Sequence, residues 1–361
     1  MSRETMLTLN TTTLIGNTAE RGNAWHYREE LQGEEPNHYE GFVPAADVRR
    51  RLFDWTAESA PLKYSIPADF DTMTGIDAQG MPVREMTDES RQVIFNSKTG
   101  HAFGVFKMGY ERHQYTETLL DGLASIITPE GLAITDDSLG IGSAGVLREG
   151  AQAWVQIERP DNVTTPEGVD FRSSILASTS HDGSLSTTYS AVNTVVVCDN
   201  THAWALNEAK ESGRQIKIKH SRYSQLKIND ARDALGILVE AADKFAADVA
   251  ELCQVEITNR RFNDFMDIWA PVPEAKGRAR TMAEDKRDAL TTLYRSDQRA
   301  APWSGTAFGL LQAVNTYDHH FKSVKGISRA ERNMSNAVTG KTAQSDTDTL
   351  SAIRASALVS A

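Results

Sequence analysis

Between Phe171 and Ser221 lie six side chains of the types that chemistry uses: His181, Asp182, Cys198, Asp199, His202 and His220. Such a set could supply a Cys–His nucleophile pair or the ligands of a metal ion. Cys198 and His202 stand four residues apart, which brings two ligands together only if both lie on one helix. Cys198, however, closes the apolar run Val195-Val196-Val197, a place for a buried core thiol. Asp199 or Asn200 then reads as the cap of a helix beginning near Thr201. Ser180-His181-Asp182-Gly183 has Asp-Gly between β-forming flanks, the composition of a turn between two strands. Two cysteines and scattered histidines fit no established ligand spacing. On this reading His181, Asp182, Gly183, Cys198, Asn200 and Thr201 form a motif of turn, core and cap residues, with no metal ligand assigned.

Two further strings resemble phosphate-binding motifs and fail on context. Gly140-Ile141-Gly142-Ser143-Ala144-Gly145 matches G-x-G-x-x-G. That motif needs a strand before it and a helix N-terminus after it to hold a pyrophosphate, whereas here a hairpin pattern follows. Gly340-Lys341-Thr342 lacks the glycine five positions earlier, where the chain has Ser335. No cofactor is therefore expected. His319 and His320 adjoin on a helical stretch, so they point apart and read as surface or partner residues.

A stronger signal is electrostatic. Arg214, Lys217, Lys219, Arg222 and Lys227 follow one another with His220 and Tyr223 among them and no Asp or Glu between. In an extended strand Lys217, Lys219 and Ser221 share one face while Ile216, Ile218 and His220 share the other. Cations that track a phosphate backbone, beside an aromatic that stacks on bases, are what single-stranded DNA binding requires. The same pattern also describes a solvated edge strand protected by lysines.

The elements that would hold these residues follow from periodicity. Residues 1–42 are polar, with Trp25-His26 and Tyr39 as anchors, and read as an irregular arm. Pro44 to Trp55 has helical spacing, and Tyr64 to Thr87 reads as loop with short strands. Val93 to Phe106 forms a hairpin about Ser97-Lys98-Thr99-Gly100. Tyr115 to Ile127 is helical. Gly142 to Glu158 is a second hairpin about Arg148-Glu149-Gly150, its second strand in near-strict alternation. Beyond it, Leu226 to Leu252 has apolar residues at spacings of three and four, a long amphipathic helix. Helices are expected at about 258–270, 279–296, 303–321 and 328–338, then a frayed tail. Strands precede helices, so the fold class is α+β: a hairpin-rich antiparallel sheet, a long amphipathic helix and a helical C-terminal region. The division is an arm at 1–42, a core at 43–254, a helical region at 255–340 and a flexible tail at 341–361.

The formal charge is -11, but the first 180 residues hold 15 Lys+Arg against 27 Asp+Glu, while residues 255–345 hold 14 against 10. That asymmetry allows a local polyanion site on an acidic chain. Two cysteines and no charged, apolar and small-residue leader point to a reduced cytoplasmic protein. No apolar run approaches the roughly 18 residues of a membrane span, so no membrane partner is expected.

The chain resembles the phage/plasmid-like proteins catalogued as a domain of unknown function, encoded by bacteriophages, prophages and plasmids. The resemblance rests on Trp25-His26, Asp54-Trp55, the Gly142-to-Ile157 hairpin with Trp154, and Ser180-His181-Asp182-Gly183-Ser184. It continues through Cys198-Asp199-Asn200-Thr201, Ile218-Lys219-His220-Ser221 and Gly305-Thr306-Ala307-Phe308, with Asn315 and His319. Departures are Val195, where the family has Arg, Asp199 in place of Asn, and His202 in place of an aliphatic residue. The resemblance implies a mobile-element protein made in the cytoplasm of a bacterial host and engaged with DNA. It implies no reaction. Three readings follow: a single-stranded DNA-binding protein of phage DNA metabolism, annealing strands or mediating recombination; a host-interaction protein whose acidic half engages a bacterial protein; and a metal-dependent hydrolase using His181, Asp182 and His220. A homo-oligomer is compatible with each.

Overall fold

The computed structural model describes residues 9–24, 27–127, 139–159, 161–195, 200–202, 215–220, 237–326, 329, 332–333, 335–336 and 341–359. Its architecture is α+β, with two antiparallel sheets and a layer of helices. The larger sheet runs β1 (Thr13–Ile15), β6 (Gly140–Leu147), β7 (Gln152–Glu158), β9 (Asp170–Ser180), β10 (Thr187–Val195) and β11 (Asn200–His202). β8 (Val163–Thr164) pairs with β9, and β12 (Gln215–Ile218) pairs with β10. The smaller sheet holds β2 (Ala57–Pro67), β3 (Gly75–Ile76), β4 (Pro82–Asn96) and β5 (Ala102–Lys107).

The glycine string turns out to be a packing requirement. A Cβ on Gly140 would lie 2.1 Å from the Phe42 ring, one on Gly142 2.2 Å from the Glu158 carboxyl and one on Gly145 2.0 Å from the Trp154 ring. β6 therefore needs glycine wherever a large neighbour lies flat on it. A register shift falls between Ile141 and Ser143, so Gly142 is the extra residue of a bulge. The β6–β7 turn has the left-handed backbone at three successive residues, Arg148, Glu149 and Gly150, with φ of 51°, 57° and 91°.

Several expectations change. The N-terminal arm is not irregular at its centre: β1 pairs with β6 through Thr13↔Gly145 to Ile15↔Ser143, and Leu14 is fully buried. Three residues are too few to show a period, so the strand was invisible. The supposed loop from Tyr64 to Thr87 is a long ribbon, with β2 and β4 paired from Ala57↔Asn96 to Pro67↔Val83. Its sequence lacks alternation because neither face is covered: from residue 61 to 91, only Pro82 is buried. Asn200 and Thr201 do not cap or start a helix, but sit in β11 opposite Val195 and Thr194, where the ladder satisfies their backbone groups.

Helices α1 (Ala45–Leu52) and α2 (Gly122–Ile127), the latter preceded by a π turn at Thr116–Asp121, cover one sheet face. Leu119, Leu120 and Leu123 pack there with Ile141, Val155, Ile157, Ile175 and Ala177. A second core joins Val169 and Phe171 to α3 (Ile237–Gln254), α4 (Asn259–Trp269), α5 (Arg278–Ser296), α6 (Ala307–Thr316) and α7 (Lys341–Val359). Phe171 meets Phe245 at 4.6 Å between ring centroids. Thr258 and Thr306 cap α4 and α6, accepting from the backbone N–H groups of Arg261 and Gly309. Every residue of α6 is buried. The expected flexible tail is instead α7, whose Ala352 and Ile353 enter this core. Its Ser, Thr and Ala composition hid a short apolar stripe. His319 and His320, read as surface residues, are half-buried in a π-helical turn after α6. Among the described residues no helix is long and apolar enough to cross a membrane.

One buried ion pair holds the arm to the sheet. Arg172 on β9 donates to Glu158 on β7 at 3.0 Å and to Glu20 at 2.7 Å, while Asn17 donates to Glu158 at 2.5 Å. The side chains of Arg172 and Glu158 are only 6% and 2% exposed. Truncating Arg172 to Met leaves a buried carboxylate without its cation, and a loss of about 3–5 kcal/mol is expected in urea unfolding. Gly145→Ala, which forces a methyl into the Trp154 ring, is expected to lose about 1–3 kcal/mol or more by the same measurement.

Candidate functional site

The turn after β9 delivers the first of three histidines. His181 donates its backbone N–H to the Ala151 carbonyl at 2.8 Å, and its side chain is fully buried. Its ring stacks on Tyr115 at 4.2 Å and borders Trp55 and Phe103 at 5.8 and 5.6 Å. Neither ring nitrogen has a protein partner. Asp182 does not serve it; that carboxylate accepts from the Ser184 backbone at 2.9 Å and from the Ser184 hydroxyl, closing the turn. Gly183 has φ 73°, and a Cβ there would meet Phe106 at 2.8 Å, so the turn needs glycine twice over.

The second and third histidines form a relay with two threonines. His113 Nδ1 lies 2.5 Å from Thr187 Oγ1, Thr187 Oγ1 lies 2.8 Å from Thr179 Oγ1, and Thr179 Oγ1 lies 3.4 Å from His220 Nε2. His220 Nδ1 lies 2.9 Å from the Glu111 carbonyl. A carbonyl only accepts, so in neutral His220 the proton sits on Nδ1 and Nε2 accepts. The hydroxyls must then point one way: His113 Nδ1–H to Thr187, Thr187 to Thr179, Thr179 to His220. His113 Nε2 is left as a buried acceptor without a partner. Burial lowers the pKa of His113 to about 4 and of His181 to about 3, with the neighbouring rings adding to both, and it lowers that of His220. All three are neutral imidazoles near pH 7.

These rings belong to a column. Phe106 stacks on Tyr110 at 4.2 Å, Tyr110 on His220 at 5.0 Å with planes 2° apart, and His220 on His113 at 4.2 Å. The first three are half-buried and His113 is buried, so the column runs inward from the surface. Burial raises the pKa of the Tyr110 phenol, which therefore stays protonated. On the other side of His181, Trp55 and the left-handed turn Arg148–Gly150 line a cavity of about 340 Å³ with Leu9, Thr11, Thr12, Arg51, Leu52, Asp54, Val146 and Leu147. Arg148 reaches back to Asp182 at 3.4 Å.

Of the basic stretch, Lys217 lies on β12 opposite Thr188, Ile218 is buried in the sheet core, Lys219 is exposed and His220 is half-buried. Arg214, Arg222, Tyr223, Lys227 and Cys198 lie outside the described residues. The hydrolase set does not assemble as a hydrogen-bonded unit, since the Asp182 carboxylate bonds to Ser184 and pairs with Arg148 and not with the rings of His181 or His220. Among the described residues no three His, Cys, Asp or Glu side chains converge to hold a metal ion. Cys253, in the helical layer, has its thiol pKa pushed up to about 11 by burial and the nearby Glu167, so it is no thiolate nucleophile at neutral pH. Sequence reasoning missed His113, Tyr110, Phe106, Thr179 and Thr187. His113 and Tyr110 fall in an aperiodic link, and only the pairing of β10 with β12 brings His220 to them.

A family model described as "Domain of unknown function (DUF932)" matches residues 102–342. The chain belongs to the DUF932 family. No curated protein and no solved structure matches it. The DUF932 segment takes in all three histidines, both threonines and the ring column, while Trp55 and the β2–β4 ribbon precede it.

The two depressed imidazoles set a pH dependence. Their folded pKa values lie below the free value of 6.5, so between about pH 6.5 and 4 the unfolded chain binds more protons than the folded one. Their contribution is complete above pH 6.5 and is lost as pH falls, by up to ~1.4 kcal/mol per pH unit for each ring. Urea unfolding across this range is expected to show the decline, and His181→Phe, which keeps the stack on Tyr115, to flatten it. An identical slope in the variant would mean that His181 is not its source.

Proposed function

We propose that this DUF932 protein binds single-stranded DNA, with the ring column and the β12 edge as the binding surface. The observation that carries the reading is the stack Phe106–Tyr110–His220 opening to the surface beside exposed Lys219. Bases stack on an aromatic end, and a neighbouring ammonium pairs with phosphate. Neutral His220, stacked between Tyr110 and His113, holds the column in line and brings no buried charge to it. The basic residues Arg214, Arg222 and Lys227 extend the same stretch of sequence. The resemblance to phage- and plasmid-encoded proteins supports a setting in DNA metabolism inside a bacterial host, as a strand-annealing or recombination mediator. On this reading the protein performs no covalent chemistry, and the buried relay fixes His220 in the plane that the stack needs.

Fluorescence anisotropy of a labelled oligothymidine with the intact chain is the direct test. Binding is expected to weaken steeply with salt, with a slope of about 0.7 for each phosphate neutralised. Phe106→Leu is expected to weaken it by ~1–3 kcal/mol, the worth of one stacked base. Lys219→Glu is expected to weaken binding and to flatten the salt slope by about one contact. An oligonucleotide that stays free even at low salt would overturn the proposal.

A further inference from the structure

The cavity between the N-terminal arm, the end of α1 and the β6–β7 turn is a second concave feature, apart from the ring column. Leu9, Leu52, Val146, Leu147 and Trp55 supply an apolar lining. Trp55 is held from several directions: its Nε1–H donates to the Leu52 carbonyl at 3.1 Å, and the rings of Tyr115, Phe103 and His181 border it at 5.4, 5.6 and 5.8 Å. The ring is nonetheless only half-buried, so part of its surface is left to the cavity that it lines.

The polar part of the lining carries both signs, Arg51 and Arg148 with Asp54 and Glu149. Each of these groups already has a partner. Arg51 lies 3.6 Å from Glu35, Arg148 lies 3.4 Å from Asp182, Asp54 pairs with Lys98, and Glu149 meets the His101 ring at 3.2 Å. A ligand with a net charge would give up its hydration here and find no uncompensated counter-charge. A neutral ligand can use what is left, since a paired carboxylate keeps lone pairs and a paired guanidinium keeps N–H groups. Arg148 is the freer of the two cations, because Arg51 also donates to the Pro36 and Glu35 carbonyls and to the Tyr39 hydroxyl. The side chains of Arg148 and Glu149 are 54% and 77% exposed, which puts them at the edge of the cavity. Both are carried on left-handed backbone, with φ of 51° and 57°, and strain of this kind gathers where a fold clamps a ligand. A flat ring system meets these conditions when it is uncharged and has donors and acceptors side by side along its rim. At about 340 Å³ the cavity stands near the small end of the roughly 300–1,000 Å³ that ligand pockets span, which suits one heterocycle with its sugar.

We propose that this cavity binds a nucleobase, and guanine above the others. The base stacks on Trp55. Its O6 and N7 accept from the Arg148 guanidinium, the commonest specific arginine–base pairing, and its N1–H and N2–H groups donate to Asp54 or Glu149. Adenine has a donor where guanine has O6, so the paired contact to Arg148 is lost. The base can belong to a free nucleoside or to a strand that also meets the ring column; only the second source rests on the single-stranded DNA reading.

Isothermal titration calorimetry of the intact chain with guanosine, adenosine and uridine, with circular dichroism to confirm folding, tests this. Guanosine is expected to bind, and adenosine to bind roughly ten-fold more weakly for want of the paired contact. Trp55→Leu is expected to weaken guanosine about 5- to 150-fold, the worth of one stacked base. Because Trp55 also packs inward, Arg148→Gln at an exposed side chain gives the second reading: it is expected to keep the fold and to bring guanosine down to the level of adenosine. Phe106→Leu, which alters the ring column, is expected to leave guanosine binding unchanged, so that failure of one site is distinguished from failure of the other. An oligothymidine carrying one dG that binds more tightly than plain oligothymidine, and loses that advantage in Arg148→Gln, supports the proposal with the strand as source. Bound guanosine with the two oligonucleotides indistinguishable supports it with the free nucleoside as source. A chain that binds no nucleoside and treats both oligonucleotides alike overturns the proposal. So does guanosine binding that survives both Trp55→Leu and Arg148→Gln, or binding of leucine or phenylalanine in place of any nucleoside.

Discussion

β9 is buried at ten successive positions, from Phe171 to Ser180, yet six of those residues are Arg, Ser or Thr. A strand that water reaches on neither face must find a protein partner for every polar group it carries, and much of the structure follows from that demand. Toward one end Arg172 recruits Glu158 from β7 and Glu20 from the N-terminal arm, and Asn17 of the arm donates in turn to Glu158. In the middle Ser174 accepts from Gln156, which in turn accepts from Ser143, so a polar ladder crosses three strands. At the far end Thr179 takes its place in the histidine relay and Ser180 binds the backbone of Leu185. Between these polar points Phe171, Ile175 and Ala177 anchor the two apolar cores.

The relay shows how that demand orders a stack of rings that reaches the surface. Thr179 and Thr187 face each other because β9 and β10 pair in a fixed register, in which Thr188 opposes Ser178. Their hydroxyls need partners in a dry environment, and His113 and His220 provide them. Burial in turn keeps both imidazoles neutral, so each can offer a donor on one nitrogen and an acceptor on the other. The same packing aligns His220 with Tyr110 to within 2°. Ring orientation at the surface is thus set by hydrogen bonds made beneath it.

His181 stands apart from this logic. It is held by Tyr115, Trp55 and Phe103 as though it were one more aromatic ring, and its nitrogens have no protein partner. Its neighbours in the turn serve the backbone, Asp182 by accepting from Ser184 and Gly183 by its positive φ beneath Phe106. The turn read for Ser180-His181-Asp182-Gly183 agrees with these contacts, while the helix placed at Thr201 gave way to a strand; Cys198, read as a core thiol, lies outside the described residues.

Much of the fold was legible in the sequence. Alternation marked β7, whose Gln152, Gln156 and Glu158 share one face although the strand is almost wholly buried; Asp-Gly marked the β9–β10 turn, and spacings of three and four marked α3. The chain by itself also disqualified the G-x-G-x-x-G string, since a hairpin pattern follows it. Only tertiary structure could say that those glycines yield to Phe42, Glu158 and Trp154, residues that lie from 9 to 98 positions away. The ribbon went unread because it buries neither face, and the tail because a stripe of two or three apolar residues suffices to seat α7. The histidine site was divided among three distant segments, and nothing in the local pattern of any one of them speaks of the others. Local sequence determines which face of an element turns inward; long-range pairing decides which side chains meet there, because it depends on register between strands that local propensity does not fix.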